Sequence, residues 1–430
     1  MKYADALKVV QMIDALINFN KATKITSTFT SAFKENTIVD INGNTYLQGS
    51  FNSTGTVSGR LSSSDPNLMN MPNSSTYGKL IKQCFISTND WLFVGADFAS
   101  LEDRISALQT KDPNKLKVYI DGYDGHCLRA YAYFGHLMPD IDPESVKSIN
   151  SIKKKYPELR QDSKIPTFAL TYQGTHYTLM NNLGFSKKKA IGIEVGYHEM
   201  YAIADAWVNE KLEEASRTGY VELAFGLRLR TPIIQQTVFG APSTPYEAKK
   251  EGRTAGNALG QSYGLLNNRA AVELQNRLFD SPYIYDIKPV AHIHDAQYFV
   301  ARRDPAVITW LNDNLIECME WQDLPDIRHD EVKLGGNLDI FCPSWAFPTE
   351  MPNKTALKDT SVILNGLNSS GAFKTEIVVK NKKTEVEEWK NFGPSNFPEP
   401  YRFDVEADAH RMLEIYHPGN TQVRVLPYAA

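Results

Sequence analysis

The chain has 430 residues, 46 Lys and Arg against 50 Asp and Glu, and a formal net charge of −4 at pH 7. Its length suggests two to four domains, and its ordinary content of 42% hydrophobic and 22% charged residues excludes wholesale disorder. No apolar run approaches the roughly 20 residues that cross a bilayer, and four scattered cysteines argue against a disulfide scaffold. We therefore expect a cytoplasmic protein without membrane contact, and the acidic balance alone disfavours a nucleic-acid partner.

Hydrophobic periodicity predicts the order of helices and strands along the chain. The pattern predicts a helix over 1–22, short strands and turns over 36–60, a buried strand over 91–96, mainly helix over 124–280, two strands over 283–302, a helix over 305–320 and a strand over 332–341. After Pro343 the composition changes to Asn, Ser, Lys, Glu and Pro, so residues 346–430 are interpreted as a C-terminal extension.

Two aspartates, Asp97 and Asp295, lie where predicted strands end or turn. A carboxylate beside apolar segments is unfavourable unless a cation pairs with it. Two carboxylates from separate strands can hold hard divalent cations such as Mg²⁺, and a pair of such ions supports phosphoryl transfer. The spacing alone leaves the alternative that each aspartate only caps a helix or a turn.

A second pattern places side chains every four residues, at Arg160, Lys164, Phe168 and Tyr172. On a helix these residues share one face, which offers two cations followed by two aromatic rings. Such a face suits a nucleotide, with cations on the phosphates and a ring against the sugar or base. The alternative is a helix with a basic first half and core aromatics in its second half. Pro166 lies inside this helix and is predicted to kink it.

A third pattern with the same spacing consists of Arg253, Asn257 and Gln261. Their hydrogen-bonding side chains share one helix face and suit contacts to a minor groove or a sugar–phosphate edge. An ordinary polar helix face is the alternative. His126 is a lone histidine, whose default interpretation is structural.

Together and in this order, the motifs resemble the polymerase portion of family A (bacterial DNA polymerase I-like) DNA polymerases, from about residue 22 to 342. The likeness rests on 56–67 (TVSGRLSSSDPN), 96–104 (ADFASLEDR), 124–126 (DGH), the four-residue pattern over 160–172, the Arg-x3-Asn-x3-Gln pattern over 253–261, and 294–295 (HD). The resemblance implies an α+β, right-hand polymerase fold with an antiparallel-sheet palm, helical fingers and a truncated thumb.

The resemblance also implies a role for each matching residue. Asp97 and Asp295 are the implied catalytic carboxylates, which hold two Mg²⁺ ions together with the carbonyl group of Phe98. The implied dNTP-binding residues are Arg160, Lys164 and His126 on the phosphates, Phe168 on the sugar, Tyr172 on the templating side, and Glu102 as the gate that excludes a ribose 2′-OH. The implied DNA-binding residues are Arg60, Asn67, Arg253, Asn257, Gln261 and His294.

Two departures from the family pattern shape the expectations. Ala296 stands where the family usually has Glu, which implies weakened metal handling. Only 59 residues precede Arg60, too few for the long thumb helices or for a 3′–5′ exonuclease domain. We therefore expect a fragment or a compact or split polymerase, in a host cytoplasm if it is viral. A partner chain would then supply a thumb, exonuclease or processivity subunit.

The resemblance divides the chain into five segments. These are 1–59 (thumb base and start of the palm), 60–123 (palm with the first aspartate), 124–218 (fingers), 219–345 (palm with the second aspartate) and 346–430 (an extension that is either an interaction module or a structural layer on the palm).

The leading hypothesis is a DNA-templated DNA polymerase that extends a primer 3′-OH with dNTPs by two-metal-ion nucleotidyl transfer and lacks its own proofreading exonuclease. One alternative is a relative of single-subunit RNA polymerases, which Glu102 disfavours because an acidic gate crowds a 2′-OH. The other is a catalytically weak, DNA-binding scaffold subunit of a replication complex, which Ala296 motivates.

Overall fold

Antiparallel strands and a large set of helices make up the fold. The structure is a computed structural model that describes residues 3–72, 76–88, 90–238, 240–241, 243–367, 373–380, 387–394, 399–420 and 422–427. The β-strands are β1 (Thr37–Val39), β2 (Thr45–Leu47), β3 (Ser50–Asn52), β4 (Ser62–Ser64), β5 (Trp91–Phe98), β6 (Tyr220–Glu222), β7 (Arg228–Arg230), β8 (Ile287–Ile293), β9 (Ala296–Arg302), β10 (Gly336–Phe341), β11 (Pro348–Met351), β12 (Phe373–Lys380), β13 (Glu387–Asn391), β14 (Arg402–Phe403) and β15 (Val423–Pro427).

Helices occupy most of the remaining described chain. The α-helices are α1 (Tyr3–Ile25), α2 (Ala32–Glu35), α3 (Thr76–Gln83), α4 (Leu101–Thr110), α5 (Pro113–Ile120), α6 (Gly125–Phe134), α7 (Val146–Lys155), α8 (Pro157–Thr171), α9 (His176–Leu183), α10 (Lys187–Met200), α11 (Ala202–Thr218), α12 (Tyr246–Gln261), α13 (Leu265–Phe279), α14 (Pro305–Met319), α15 (Leu357–Gly366) and α16 (Glu406–Tyr416). A π-helical turn covers Thr26–Ser31, and 3₁₀ turns cover Leu68–Asn70, Gly135–Leu137, Ala224–Gly226, Ile234–Gln236 and Ser262–Gly264.

A five-stranded sheet in the order β11–β10–β5–β9–β8 forms the predicted palm, and all its neighbouring strands are antiparallel. The central strand β5 is apolar, and its Leu92, Val94 and Ala96 are almost fully buried. Its end is polar, because Asp97 follows Ala96 and faces solvent. This strand therefore anchors the sheet in a core through its apolar residues and presents a carboxylate near its C-terminal end.

Two long helices, α13 and α14, cover the buried face of this sheet. Their apolar side chains recur at helical spacing, with Leu274 and Leu278 on α13 and Ile308 and Leu311 on α14 all inside the same core. Burial of each such side chain stabilises the fold by about 1.5–3 kcal/mol relative to its exposure. The core therefore holds the strand β5 and the hairpin β8–β9 in one fixed register.

The helices α6 to α11 pack around a second apolar core, as expected for the fingers. The helix α8 begins with Pro157, which suits the first turn, and continues through Pro166 to Thr171. Pro166 is buried, and the helix continues for five residues beyond it, so the proline does not end the helix. Tyr172 lies at the cap directly after the last helical residue.

The helix predicted near the N-terminus is present as α1, but its apolar side chains do not form a core. Val9, Ile13 and Leu16, which recur at helical spacing, are 45%, 47% and 50% exposed. The spacing of these residues therefore predicted the helix correctly without predicting burial. None of the described helices has both the length and the apolar character needed to cross a membrane.

The described parts of the segment 346–430 add β11 to the palm sheet, and β12–β15 form a separate four-stranded sheet. β11 is the edge strand of the palm sheet. The hydroxyl groups of Thr349 and Tyr401 are 3.0 Å apart, and Tyr401, Phe403 and Met412 are buried in the palm core. This packing favours the structural-layer interpretation of the extension.

Replacement of Phe403 by alanine tests whether the extension belongs to the palm core. Phe403 is 1% exposed, so we expect Phe403→Ala to lower the free energy of unfolding by about 3 kcal/mol, because it leaves a cavity. Denaturant unfolding measures this change. Val405→Ala is the control, since Val405 is 55% exposed and should alter stability little. Equal stabilities of the Phe403→Ala variant and the wild type would contradict the packing.

Candidate active site and nucleic-acid interface

The two predicted catalytic aspartates lie on neighbouring strands at one end of the palm sheet. Asp97 is the exposed residue next to the end of β5, and the residue opposite it in β9 is Ala296, which directly follows Asp295. Asp295 occupies the two-residue turn between β8 and β9, and its carbonyl oxygen accepts a hydrogen bond of 3.3 Å from the Phe98 N–H. Antiparallel pairing thus brings together two carboxylates that are far apart in the sequence.

The electrostatics of the site favour a cation. Burial, the neighbouring charge of Asp295 and that of Asp339 raise the pKa of Asp97 to about 7. Asp339 lies opposite Gly95 in β10, and burial and the charge of Glu350 raise its own pKa to about 6. A carboxyl group whose charge is disfavoured in this way gains from a bound cation, which neutralises the repulsion.

The oxygen donors at this edge fit magnesium. Mg²⁺ usually binds through one or two carboxylates and completes its coordination with water and substrate phosphates. Asp97 and Asp295 would supply the carboxylates, the Phe98 carbonyl group is the predicted third donor, and Asp97 is exposed. Among the described residues, no group of three or more His, Cys, Asp or Glu side chains is placed to hold a metal ion.

The predicted phosphate-binding residues cluster where α8 meets the start of α6. Nη2 of Arg160 donates to both carboxylate oxygens of Asp124, at 3.1 and 2.7 Å. Asp124 also caps α6, because its Oδ1 accepts from the N–H groups of His126 and Cys127. Although burial opposes it, the hydrogen bond from Arg160 lowers the pKa of Asp124. The cap and the ion pair together fix Arg160 beside His126.

His126 is a neutral member of this cluster. Burial lowers its pKa, and the positive charges of Arg129, Arg160 and Lys164 lower it further. Its Nδ1 atom is buried and has no hydrogen-bond partner among the described residues. A neutral imidazole beside three cations can donate a hydrogen bond to an anionic ligand without adding a full charge.

Arg60, Glu102 and Tyr172 form one hydrogen-bonded network above the palm. The Arg60 guanidinium lies 3.3 Å from Glu102 Oε1, and the Tyr172 hydroxyl group donates to Glu102 Oε2 over 2.5 Å. Nε of Arg60 also donates to the carbonyl oxygen of Gln261 at 3.0 Å. Burial, followed by the hydrogen bond to Glu102, raises the pKa of Tyr172, so its hydroxyl group stays protonated. Glu102 is therefore held from two sides.

The third predicted cluster lines a cavity of about 460 Å³ beside this network. Arg253, Asn257 and Gln261 lie along one face of α12 and line the cavity together with Glu102 and Tyr172. Nδ2 of Asn257 donates to the carbonyl oxygen of Tyr172 at 3.3 Å, which joins α12 to the end of α8. The cavity therefore lies between the palm and the fingers.

The remaining predicted residues are exposed or half-buried around these clusters. Phe168 is 65% exposed, and its ring centre is 5.1 Å from that of Tyr172 in an edge contact. His294 is exposed at the tip of the β8–β9 turn, and Lys164 is half-buried on α8. The Oδ1 atom of Asn67 caps a short 3₁₀ turn by accepting from the Met69 N–H, which is the structural role that Asn favours.

Sequence reasoning missed two groups of residues that support the site. Arg129 is buried on α6, where it donates to Asp103 and to the hydroxyl group of Tyr201 at 2.9 Å each. These contacts tie the His126 helix to α4 and to Tyr201, which lies between α10 and α11, and no sequence pattern predicted them. Asn267 and Gln297 lie beneath the Asp295 turn, and no local pattern indicated them.

The raised pKa of Asp97 gives a stability test in metal-free protein. The ordinary pKa of an aspartate is near 3.8 and that of folded Asp97 is about 7, so the folded state binds the proton more tightly. Its contribution to stability is complete below about pH 4 and is lost as the pH rises through 7. We therefore expect Asp97→Asn to raise the melting temperature at pH 8 more than at pH 5, as measured by thermal unfolding with chelator. Equal shifts at both pH values would contradict this electrostatic description.

Comparison with known proteins is consistent with this geometry. The family model described as DNA polymerase family A matches residues 3–334. The thermostable DNA polymerase I of Thermus thermophilus is 30% identical over 227 residues, which cover 53% of this chain and 25% of that protein. DNA polymerase I of Pseudomonas aeruginosa is 28% identical over 291 residues, or 67% of this chain and 29% of that protein. The chain thus spans between a quarter and a third of the length of these curated relatives.

A solved structure also has this fold. The POL domain of Pol1 from M. smegmatis, in complex with DNA primer-template and dNTP, matches with a TM-score of 0.62 and 21% identity over 80% of this chain and 56% of that chain. The likeness confirms the predicted right-hand polymerase fold. The two named relatives are bacterial, and the viral origin stays a prediction. Because the family match covers most of the sequence and includes both aspartates, the chain belongs to DNA polymerase family A.

Proposed function

We propose that the chain is a DNA-directed DNA polymerase that extends a primer 3′-OH with dNTPs on a template strand. The observation that carries this proposal is the placement of Asp97 and Asp295 on adjacent strands, with the Arg160 cluster on the helical side of the cleft. In such a site, two Mg²⁺ ions would activate the attacking hydroxyl group and stabilise the leaving pyrophosphate. Asp97, Asp295 and the Phe98 carbonyl group would hold them.

The fingers residues would bind the incoming nucleotide. Arg160 and Lys164 carry the positive charge for the triphosphate, and neutral His126 donates a hydrogen bond to it. Nη2 of Arg160 donates to both oxygens of Asp124, so other N–H groups of the guanidinium could bind the phosphates while Asp124 holds the side chain. Phe168, exposed beside Tyr172, would pack against the sugar.

The duplex would lie along the palm side of the cavity. Arg60, Arg253, Asn257 and Gln261 meet near Glu102 and Tyr172, and they present donors suited to minor-groove acceptors and sugar oxygens. His294 at the tip of the turn would contact the primer terminus, and Asn67 the template–primer backbone.

The segment limits 59/60, 123/124 and 218/219 are proposed as the borders of thumb base, palm and fingers. The palm sheet itself continues to β11.

We expect the chain to synthesise DNA and not to proofread it. We propose that the chain does not remove a mismatched 3′ terminus, and that a separate thumb, exonuclease or processivity subunit would act with it. The mass of the native complex tests whether such a subunit is bound.

Neutral variants of the two aspartates test the proposed function directly. We expect Asp97→Asn and Asp295→Asn each to lower kcat for primer extension by about a thousandfold, because each removes charge that would hold a transition-state cation. Asp280→Asn is the matched control, since Asp280 is exposed and follows α13 at a distance from the turn. Near-normal extension by both active-site variants would refute the proposal.

The network around Glu102 gives a test of sugar selection. The Tyr172 hydroxyl group donates to Glu102, so we expect Tyr172→Phe to reduce the dNTP-over-rNTP preference in kcat/KM by about tenfold, the size of one hydrogen bond to a charged group. Tyr285→Phe, at an 83% exposed tyrosine, controls for loss of a hydroxyl group elsewhere. An unchanged preference in Tyr172→Phe would show that this contact does not set the gate.

A further inference from the structure

Two buried amide side chains hold the turn that carries Asp295. Asn267 on α13 is 1% exposed, and Gln297 on β9 is fully buried. Nδ2 of Asn267 donates to the carbonyl oxygen of His294 at 3.2 Å and to that of Ala296 at 3.3 Å. One amide group thus donates hydrogen bonds to the backbone on both sides of Asp295.

Gln297 fixes the orientation of Asn267. Nε2 of Gln297 donates to Asn267 Oδ1 at 2.9 Å and to the Asn267 carbonyl oxygen at 3.2 Å. Because a donor occupies Oδ1, the Nδ2 group of Asn267 has to face the turn. An Asn267 side chain without this partner could rotate its amide group and would present an acceptor to the two carbonyl oxygens.

The turn needs such support. His294 has a φ angle of 57°, in the left-handed region that a non-glycine residue keeps only when its surroundings hold it there. Phe98 N–H donates to the carbonyl oxygen of Asp295, so three successive carbonyl groups of the turn accept hydrogen bonds from the protein. The direction of the Asp295 side chain depends on this backbone conformation.

An apolar pair would serve the core equally well or better. Burying two amide groups costs desolvation, and a pair of leucines of similar size would avoid that cost. The amides therefore have a use beyond filling space. We infer that Asn267 and Gln297 are positioning residues that hold the Asp295 carboxylate beside Asp97 for divalent-metal binding, an inference that rests on the proposed function. Ala296 makes this support more important, because the turn has no second carboxylate.

The test combines direct metal binding with activity. Mn²⁺ binding to the protein with primer-template is measured by electron paramagnetic resonance of free Mn²⁺, and primer extension is measured across Mg²⁺ concentrations. For Asn267→Leu/Gln297→Leu we expect the Kd for Mn²⁺ and the Mg²⁺ concentration at half-maximal rate to rise by about tenfold or more, as is typical for partners of metal ligands. The Kd for primer-template should not change.

Asn312→Leu is the matched control. Asn312 is also buried, on α14, and its Nδ2 donates to the carbonyl oxygen of Pro352, away from the turn. This variant should lose stability and keep the wild-type Kd for Mn²⁺. If the double variant does not fold, Gln297→Met replaces it, since it removes only the donor that orients Asn267, and a raised Kd for Mn²⁺ is again expected.

The outcomes separate the inference from the proposed function. A folded variant with the wild-type Kd for Mn²⁺ and the wild-type Mg²⁺ requirement would overturn the positioning role, even if its melting temperature fell. A wild-type chain that binds Mn²⁺ but extends no primer would refute the proposed function. The comparison of Mn²⁺ affinities between wild type and variant would still decide the inference in that case.

Discussion

The pairing of β5 with β9 is the constraint on which the rest of the site depends. It sets Asp97 opposite Ala296, and so places Asp97 next to the turn that carries Asp295. Burial, and then the neighbouring charges of Asp295 and Asp339, raise the pKa of Asp97, so the arrangement costs free energy when no cation is bound. The core beneath the sheet must be strong enough to hold that arrangement, and the buried faces of α13 and α14 provide it. Stability of the palm and the chemistry of its edge are thus properties of one sheet.

The helical side of the cleft is organised by a few polar contacts that couple distant elements. Asp124 joins the start of α6 to Arg160 on α8, and Glu102 joins Arg60 to Tyr172. Each contact involves a side chain that we propose to bind substrate. These side chains are therefore already oriented in the absence of ligand. This reduces the ordering cost that a flexible cation would otherwise carry.

The sequence predicted more of the site than of its support. A four-residue spacing places side chains on one helix face, and an aspartate near the end of an apolar strand places a carboxylate at the end of the sheet. The roles of these residues came from the family resemblance and remain proposals. The contacts of Asn267 with the turn and of Arg129 with Asp103 join residues from separate elements, and no local spacing encodes them. The apolar residues of α1 show another limit of sequence patterns. Their periodicity predicts a helix, but it does not show whether their side chains are buried. The composition after Pro343 indicated an extension but not how it packs, and the structure pairs β11 with the palm sheet while β12–β15 form a sheet of their own.

The central claim is that Asp97 and Asp295 form one divalent-metal site. Crystals of the chain with primer-template, an incoming dNTP and Mn²⁺ would test it most directly, because anomalous diffraction locates Mn²⁺ without reference to activity. The account predicts two Mn²⁺ peaks between the carboxylates of Asp97 and Asp295, with the phosphates of the nucleotide completing their coordination. Mn²⁺ bound only elsewhere, with both carboxylates uncoordinated in the presence of DNA and dNTP, would contradict it.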